Sequence, residues 1–203
     1  MRIHDLGLID YREANELQLN TVSQVRDNPT SEVIYFCQHP SVVTLGRGTK
    51  PGDVFNWHGQ IEETERGGRA TYHGQGQIVC YPILDLRQRG RDIHKYLRSL
   101  EQTVLRVLGK LDLLAARVDG STGVWVGEKK VASIGIAVRH WISFHGVALN
   151  FKKDNVAFEG MNPCGFNADV MSDLSTLLQR DVSYEEVKEL WIESLKEEYR
   201  TLV

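Results

Sequence analysis

The sequence predicts an α+β fold in which a mixed β-sheet carries helices packed against it. Two observations lead there. Short runs rich in Val, Ile, Tyr and Phe recur through the middle of the chain, and stretches with apolar residues at helical intervals lie before, between and after them. With 203 residues the chain is long enough for one domain with a sizeable core and short for two, so residues 1–203 are read as a single unit.

Asp10-Tyr11-Arg12-Glu13 has the spacing of a capping box. Ala14, Leu17, Val22 and Val25 follow at roughly helical intervals up to the turn signal Asn28-Pro29, giving a first amphipathic helix. Val33-Ile34-Tyr35-Phe36 and Val42-Val43-Thr44-Leu45 are β-rich runs on either side of His39-Pro40. Thr71-Tyr72 and the run from Ile78 to Leu84 read as strands flanking a glycine-rich turn. Asp92 to about Lys110 is the second helix, with Ile93, Leu97, Leu100, Val104 and Leu108 on one face. Val124-Trp125-Val126, the turn Gly127-Glu128-Lys129 and Val131 to Val138 form a hairpin, and Phe144 to Phe151 a further strand. Ser183 with Glu186 is a second capping box, opening a helix through Val187, Leu190, Ile192, Leu195 and Tyr199.

Composition narrows the function. A net charge of −3 gives no nucleic-acid footprint, and an acidic protein partner would need a local basic patch. The start, Met1 to Asp5, leads into no long apolar run, so neither a secretory signal nor a membrane span is expected and a cytoplasmic location is. Cys37, Cys80 and Cys164 are odd in number and widely spaced, unlike a disulfide framework or a zinc site. The seven histidines show no ligand spacing, so no metal is expected.

Three segments can carry chemistry. Between Arg66 and Gln77 four glycines accompany Arg66, Arg69, Thr71, Tyr72 and His73; such a loop can approach a ligand closely, or it can be a plain glycine-rich hairpin. It matches neither a Walker loop nor a Rossmann fingerprint. Lys130 alternates onto the apolar face of Ala132, Ile134, Ile136 and Val138, an unusual place for an ammonium. It either snorkels from the strand end or is desolvated and fit for proton transfer. In Asn162-Pro163-Cys164-Gly165-Phe166 a cysteine sits in a turn, and the glycine after it leaves a backbone amide open for an oxyanion. A free thiol is only a few per cent thiolate near neutral pH, and a neighbouring ammonium favours the thiolate. The bland alternative, a buried structural cysteine, suits Cys37 and Cys80 better.

Together, RGGRATYHGQGQ at 66–77, KVASIG at 130–135, SFHGVALN at 143–150 and NPCG at 162–165 resemble the lipoyl(octanoyl) transferase family, in its order and at compatible spacings over nearly the whole chain. The resemblance implies the fold of the biotin and lipoate protein ligase catalytic domain. It implies that Cys164 is the acyl-thioester nucleophile and that Lys130 activates it and shuttles protons. It also implies that Arg66, Gly67, Gly68, Arg69, Ala70, Thr71, Tyr72 and His73, Ser133-Ile134-Gly135 and Gly146-Val147-Ala148 line the acyl pocket. The implied donor is octanoyl-acyl carrier protein. The implied acceptor is a lipoyl domain of a 2-oxoacid dehydrogenase complex or the glycine cleavage H protein, and no cofactor is expected. Gln75 stands where the family usually has proline, which should loosen that turn. His73 and His145 are weaker candidates. The rivals are an ATP-dependent ligase, faintly suggested by Gly46-Arg47-Gly48, an amidotransferase between carrier lysines, and a non-catalytic carrier-binding module.

Overall fold

The computed structural model describes residues 2–200, with side chains through Glu198. Tyr199, expected on the last helix, keeps its place in that helix, but its side chain lies outside the described set. In chain order the elements are β1 (Arg2–Leu8), α1 (Tyr11–Asp27), β2 (Val33–Gln38), β3 (Val42–Leu45), β4 (Gln60–Glu63), β5 (Thr71–His73) and β6 (Gln77–Ile83). There follow α2 (Ile93–Lys110), β7 (Ala115–Val118), β8 (Ser121–Val126), β9 (Lys129–Arg139), β10 (Ile142–Asn150), α3 (Leu174–Leu178) and α4 (Tyr184–Arg200).

Among the described residues, seven strands form one sheet in the order β1-β2-β6-β10-β9-β8-β7, and three form a smaller one, β4-β3-β5. β1 runs parallel to β2 and β3 parallel to β4; the other pairings are antiparallel, so both sheets are mixed. Period-two alternation sends the central strands' side chains to two cores. Ile34, Phe36, Ile78 and Cys80 face α2 and α4, whereas Val33, Tyr35, Cys37, Val79 and Tyr81 face α1.

The helices cap as the sequence predicts: the Asp10 side chain accepts from the Arg12 amide, Asp92 from Lys95 and Ser183 from Glu186. On α4 the buried apolar residues are Val187, Trp191 and Leu195, spaced four apart, with Leu190 and Ile192 only partly buried. Trp191 packs edge-on against Phe36 and donates its indole N–H to Thr103 at 3.0 Å, which locks α4 to α2. Ile93 departs from the expected core face: it is exposed and stands at the rim of a cavity. The three strands the sequence reading missed, β1, β4 and β7, lie at sheet edges.

Candidate active site

The site is built where the glycine-rich loop, the strand pair β9–β10 and the turn at Cys164 converge. The loop is fixed first. Arg66 is buried, and its guanidinium donates to backbone carbonyls of Gly67, Arg69 and Thr44 and to the Thr44 hydroxyl. Burial pulls its pKa down. The Gly67 amide donates to Ile136 on β9, docking the loop on the large sheet. Glycine is required where these parts meet: a Cβ at Gly135 would lie 3.0 Å from the Gly67 carbonyl and one at Gly46 2.4 Å from that of Gly68.

A second clamp holds the cysteine turn. Arg69 pairs with both carboxylate oxygens of the buried Asp53 and holds that carboxyl below the usual range. The Asp53 carbonyl accepts from the Asn162 amide at 2.8 Å. Arg69 lies over Gly165, where a Cβ would fall 1.8 Å from its Nη1. Cys164 itself takes a left-handed backbone, φ 54° and ψ 19°, in the short turn Pro163–Gly165. Left-handed geometry is unusual outside Gly, Asn and Asp, and such strain gathers at functional sites. The Cys164 amide donates to Ala70 at 2.8 Å and the Gly165 amide to Asn162 at 3.0 Å. The Gly165 N–H, expected to be open for an oxyanion, is therefore engaged in closing its own turn. The polar side chain beside the sulfur is Ser133, with Oγ 3.8 Å from Sγ.

Lys130 does not snorkel. It is 1% exposed, with Trp125 and Phe166 around its ammonium. It lines the same cavity as Cys164, together with Arg66, Gly67, Gly68, Arg69, Thr71, His73, Ser133, Ile134, Gly135, Gly146, Val147 and Ala148. That cavity holds about 440 Å³. Ala70 and Tyr72 fall outside it. Ala70 is fully buried and meets the turn through its carbonyl. Tyr72 alternates away from Thr71 and His73 on β5 and packs with Val43, Phe158 and Met161, its hydroxyl on Asp154. The sequence reading missed Tyr11, Val79, Tyr81, Leu97 and Phe166 as lining residues. Val79 and Tyr81 alternate within one recognised strand and were within its reach; Phe166 carries no local signal.

Gln75 is exposed, and its turn is nevertheless tied: the Gln77 amide bonds to Gly74, the Gln38 side chain to the Gln75 carbonyl, and the Phe151 amide to Gly76. His73 and His145 line the cavity and His39 packs behind it, all three buried in surroundings that disfavour the charged ring. His73 bonds Gln77 at 3.0 Å and stacks on Tyr11, and His39 bridges the Ile9 carbonyl and the Tyr81 hydroxyl. Burial lowers the pKa of both, and pushes His145 down to about 3 with help from Arg66 and Arg139. Below pH 6.5 the unfolded chain takes up protons at these sites that the folded chain refuses. Their contribution to stability is thus complete above pH 6.5 and is lost as the pH falls toward 3. At pH 5 His145 alone accounts for about 2 kcal/mol of that loss. Melting curves should show a midpoint that drops between pH 7.5 and 5, and drops less in a His145→Phe protein; equal pH dependence in the two would rule this out.

Residues 10–196 match the family described as the lipoyl protein ligase A/B catalytic domain. The chain is 43% identical to an octanoyltransferase of Bdellovibrio bacteriovorus, covering 91% of this chain and 92% of that one. The chain belongs to the octanoyltransferase family. An octanoyltransferase of Citrifermentans bemidjiense is 42% identical over 94% of this chain and 93% of its own length. In fold the chain is similar to a lipoate-protein ligase A bound with ATP, with a TM-score of 0.72 and 17% identity over 98% of this chain and 85% of that one. A biotin protein ligase from Aquifex aeolicus is more distant, at a TM-score of 0.59 and 12% identity over 99% of this chain and 70% of that one. The fold is thus the mixed α+β fold of these ligases. Among the described residues no helix is long and apolar enough to cross a membrane.

Proposed function

We propose that this octanoyltransferase family member moves an octanoyl group from octanoyl-acyl carrier protein to the lysine of a lipoyl domain through a thioester on Cys164. The acceptors are the lipoyl domains of 2-oxoacid dehydrogenase complexes or the glycine cleavage H protein, and residues 1–203 act as one catalytic unit. The observation that carries this reading is that Cys164, strained in its turn, and the buried Lys130 line one cavity.

The Cys164 thiolate attacks the thioester carbonyl of the incoming acyl group, with the Lys130 ammonium as its counter-charge. The tetrahedral intermediate collapses, the carbon–sulfur bond to the carrier breaks, and the carrier thiolate leaves with the proton of Lys130, which is left as the neutral amine. The Ser133 hydroxyl, 3.8 Å from Sγ, is placed to donate to the developing oxyanion. In the second half the lipoyl-domain amine attacks the acyl-enzyme. Lys130, as the amine, takes the proton it sheds, and Cys164 leaves as thiolate. One thioester replaces another and is then exchanged for a more stable amide, so the cycle runs without ATP.

The test is intact-protein mass spectrometry after mixing with octanoyl-carrier protein in the absence of ATP. A mass gain of one octanoyl, labile to hydroxylamine and discharged by a lipoyl domain, is expected. Modification of the lipoyl domain by free octanoate only when ATP is present would instead mark a ligase.

A further inference from the structure

The Lys130 ammonium is buried without an anionic partner: among the described residues no carboxylate forms an ion pair with it and no side chain accepts a hydrogen bond from it. Two aromatic rings stand there instead. Nζ lies 5.8 Å from the centroid of Trp125 and 5.4 Å from that of Phe166, both within about 6 Å, the range in which a ring face attracts a cation. The rings meet edge-on, 5.4 Å apart at 81°, so each fixes the other. They come from different parts of the chain. Trp125 is the partner of Lys130 in the β8–β9 ladder, beside a register shift, and Phe166 follows Cys164 by two residues.

The third side of this enclosure is Gly123. Its backbone, at φ 137°, is one that a side chain rarely adopts. A Cβ there would lie 2.7 Å from Cε and 3.3 Å from Nζ of Lys130, and 2.5 Å from the Ala132 carbonyl. The Gly123 amide donates to the buried carboxylate of Glu101, which Arg98 and Arg117 also hold. The strand is thereby held in the conformation that leaves space beside Cε and Nζ of Lys130.

We propose that Trp125 and Phe166 form an aromatic clamp that positions the Lys130 ammonium at the Cys164 turn, with Gly123 leaving room for the end of its side chain. The clamp rests on the acyl-enzyme reading above and makes these three residues positioning residues for it. A ring face attracts a cation without neutralising it. A carboxylate in the same place would form a fixed ion pair and compete with the thiolate for the positive charge. Phe166 also ties the lysine to the nucleophile's own segment, so a displacement of that turn alters both partners together.

The experiment is the first-order rate of acyl-enzyme formation at saturating octanoyl-carrier protein, followed by intact mass. Phe166→Leu and Trp125→Leu should each slow it roughly tenfold, with little change in the half-saturating donor concentration. Phe166→Tyr and Trp125→Phe retain a ring face and should recover most of the rate. Fluorinated phenylalanines at position 166 keep the volume nearly constant while drawing electron density from the face, so the rate should fall with each added fluorine. A packing role would give no such trend. Equal rates for the leucine and tyrosine variants, or no dependence on fluorination, would overturn the clamp. If the natural chain forms no hydroxylamine-labile adduct, the acyl-enzyme reading fails and the clamp with it. If it does and the ring variants acylate at its rate, the clamp alone fails.

Discussion

A Cys164→Gly protein should lose octanoyl transfer by at least about four orders of magnitude, yet unfold at a higher temperature than the natural chain. The first half follows from the proposed thioester, since among the described residues no other cysteine lines the cavity. The second follows from the left-handed backbone at Cys164, φ 54°. A side chain there is strained by roughly 1–2 kcal/mol, and glycine is not. For a chain of this size that corresponds to a midpoint raised by a few degrees, about 2–4 °C per kcal/mol. Cys164→Ala should be equally inactive without the full gain in stability. Appreciable turnover by either variant would end the acyl-enzyme reading. A glycine variant no more stable than the alanine one would remove the strain argument and leave the chemistry standing.

Lys130→Met should lower the acylation rate by about 10²–10⁴-fold while leaving the fold as stable as before or more so. Methionine has a similar shape and belongs among the rings of Trp125 and Phe166, and it removes a buried charge that pairs with no carboxylate among the described residues. Single-turnover acylation and a melting curve on the same sample separate the two effects. A rate within tenfold of the natural chain would mean the thiol is activated by another group, with Arg69 over Gly165 the first to consider.

The parts of this site that could be read from the sequence are those whose signal is local. Cys164 stands out because proline and glycine bracket it, and Lys130 because strand alternation sets an ammonium among Ala132, Ile134 and Ile136. The long helices and central strands were legible for the same reason, as their apolar period matches the face they bury. β1, Arg2–Leu8, was not: it is an edge strand largely open to solvent, so it shows no alternation. Four-residue β4 and β7 are likewise half exposed. Ala70 and Tyr72 were placed in the cavity because a continuous motif hides the fact that alternate residues of a strand face opposite ways. Trp125, Phe166 and Gly123 gave no sign, since their roles depend on where a lysine from the next strand and a turn some 40 residues later come to rest.

The hydrogen bond from Cys164 to Ala70 spans 94 residues of chain, and that from Asn162 to Asp53 spans 109. By contrast, the meander β8–β9–β10 closes through short hairpins. Contacts of high sequence separation carry the larger loop-closure entropy and tend to form late. During folding, then, the strands that supply Lys130 and Ser133 should assemble from their neighbours before distant loops meet and fix the nucleophile. On that order, the left-handed turn at Cys164 is set only with the last long-range contacts.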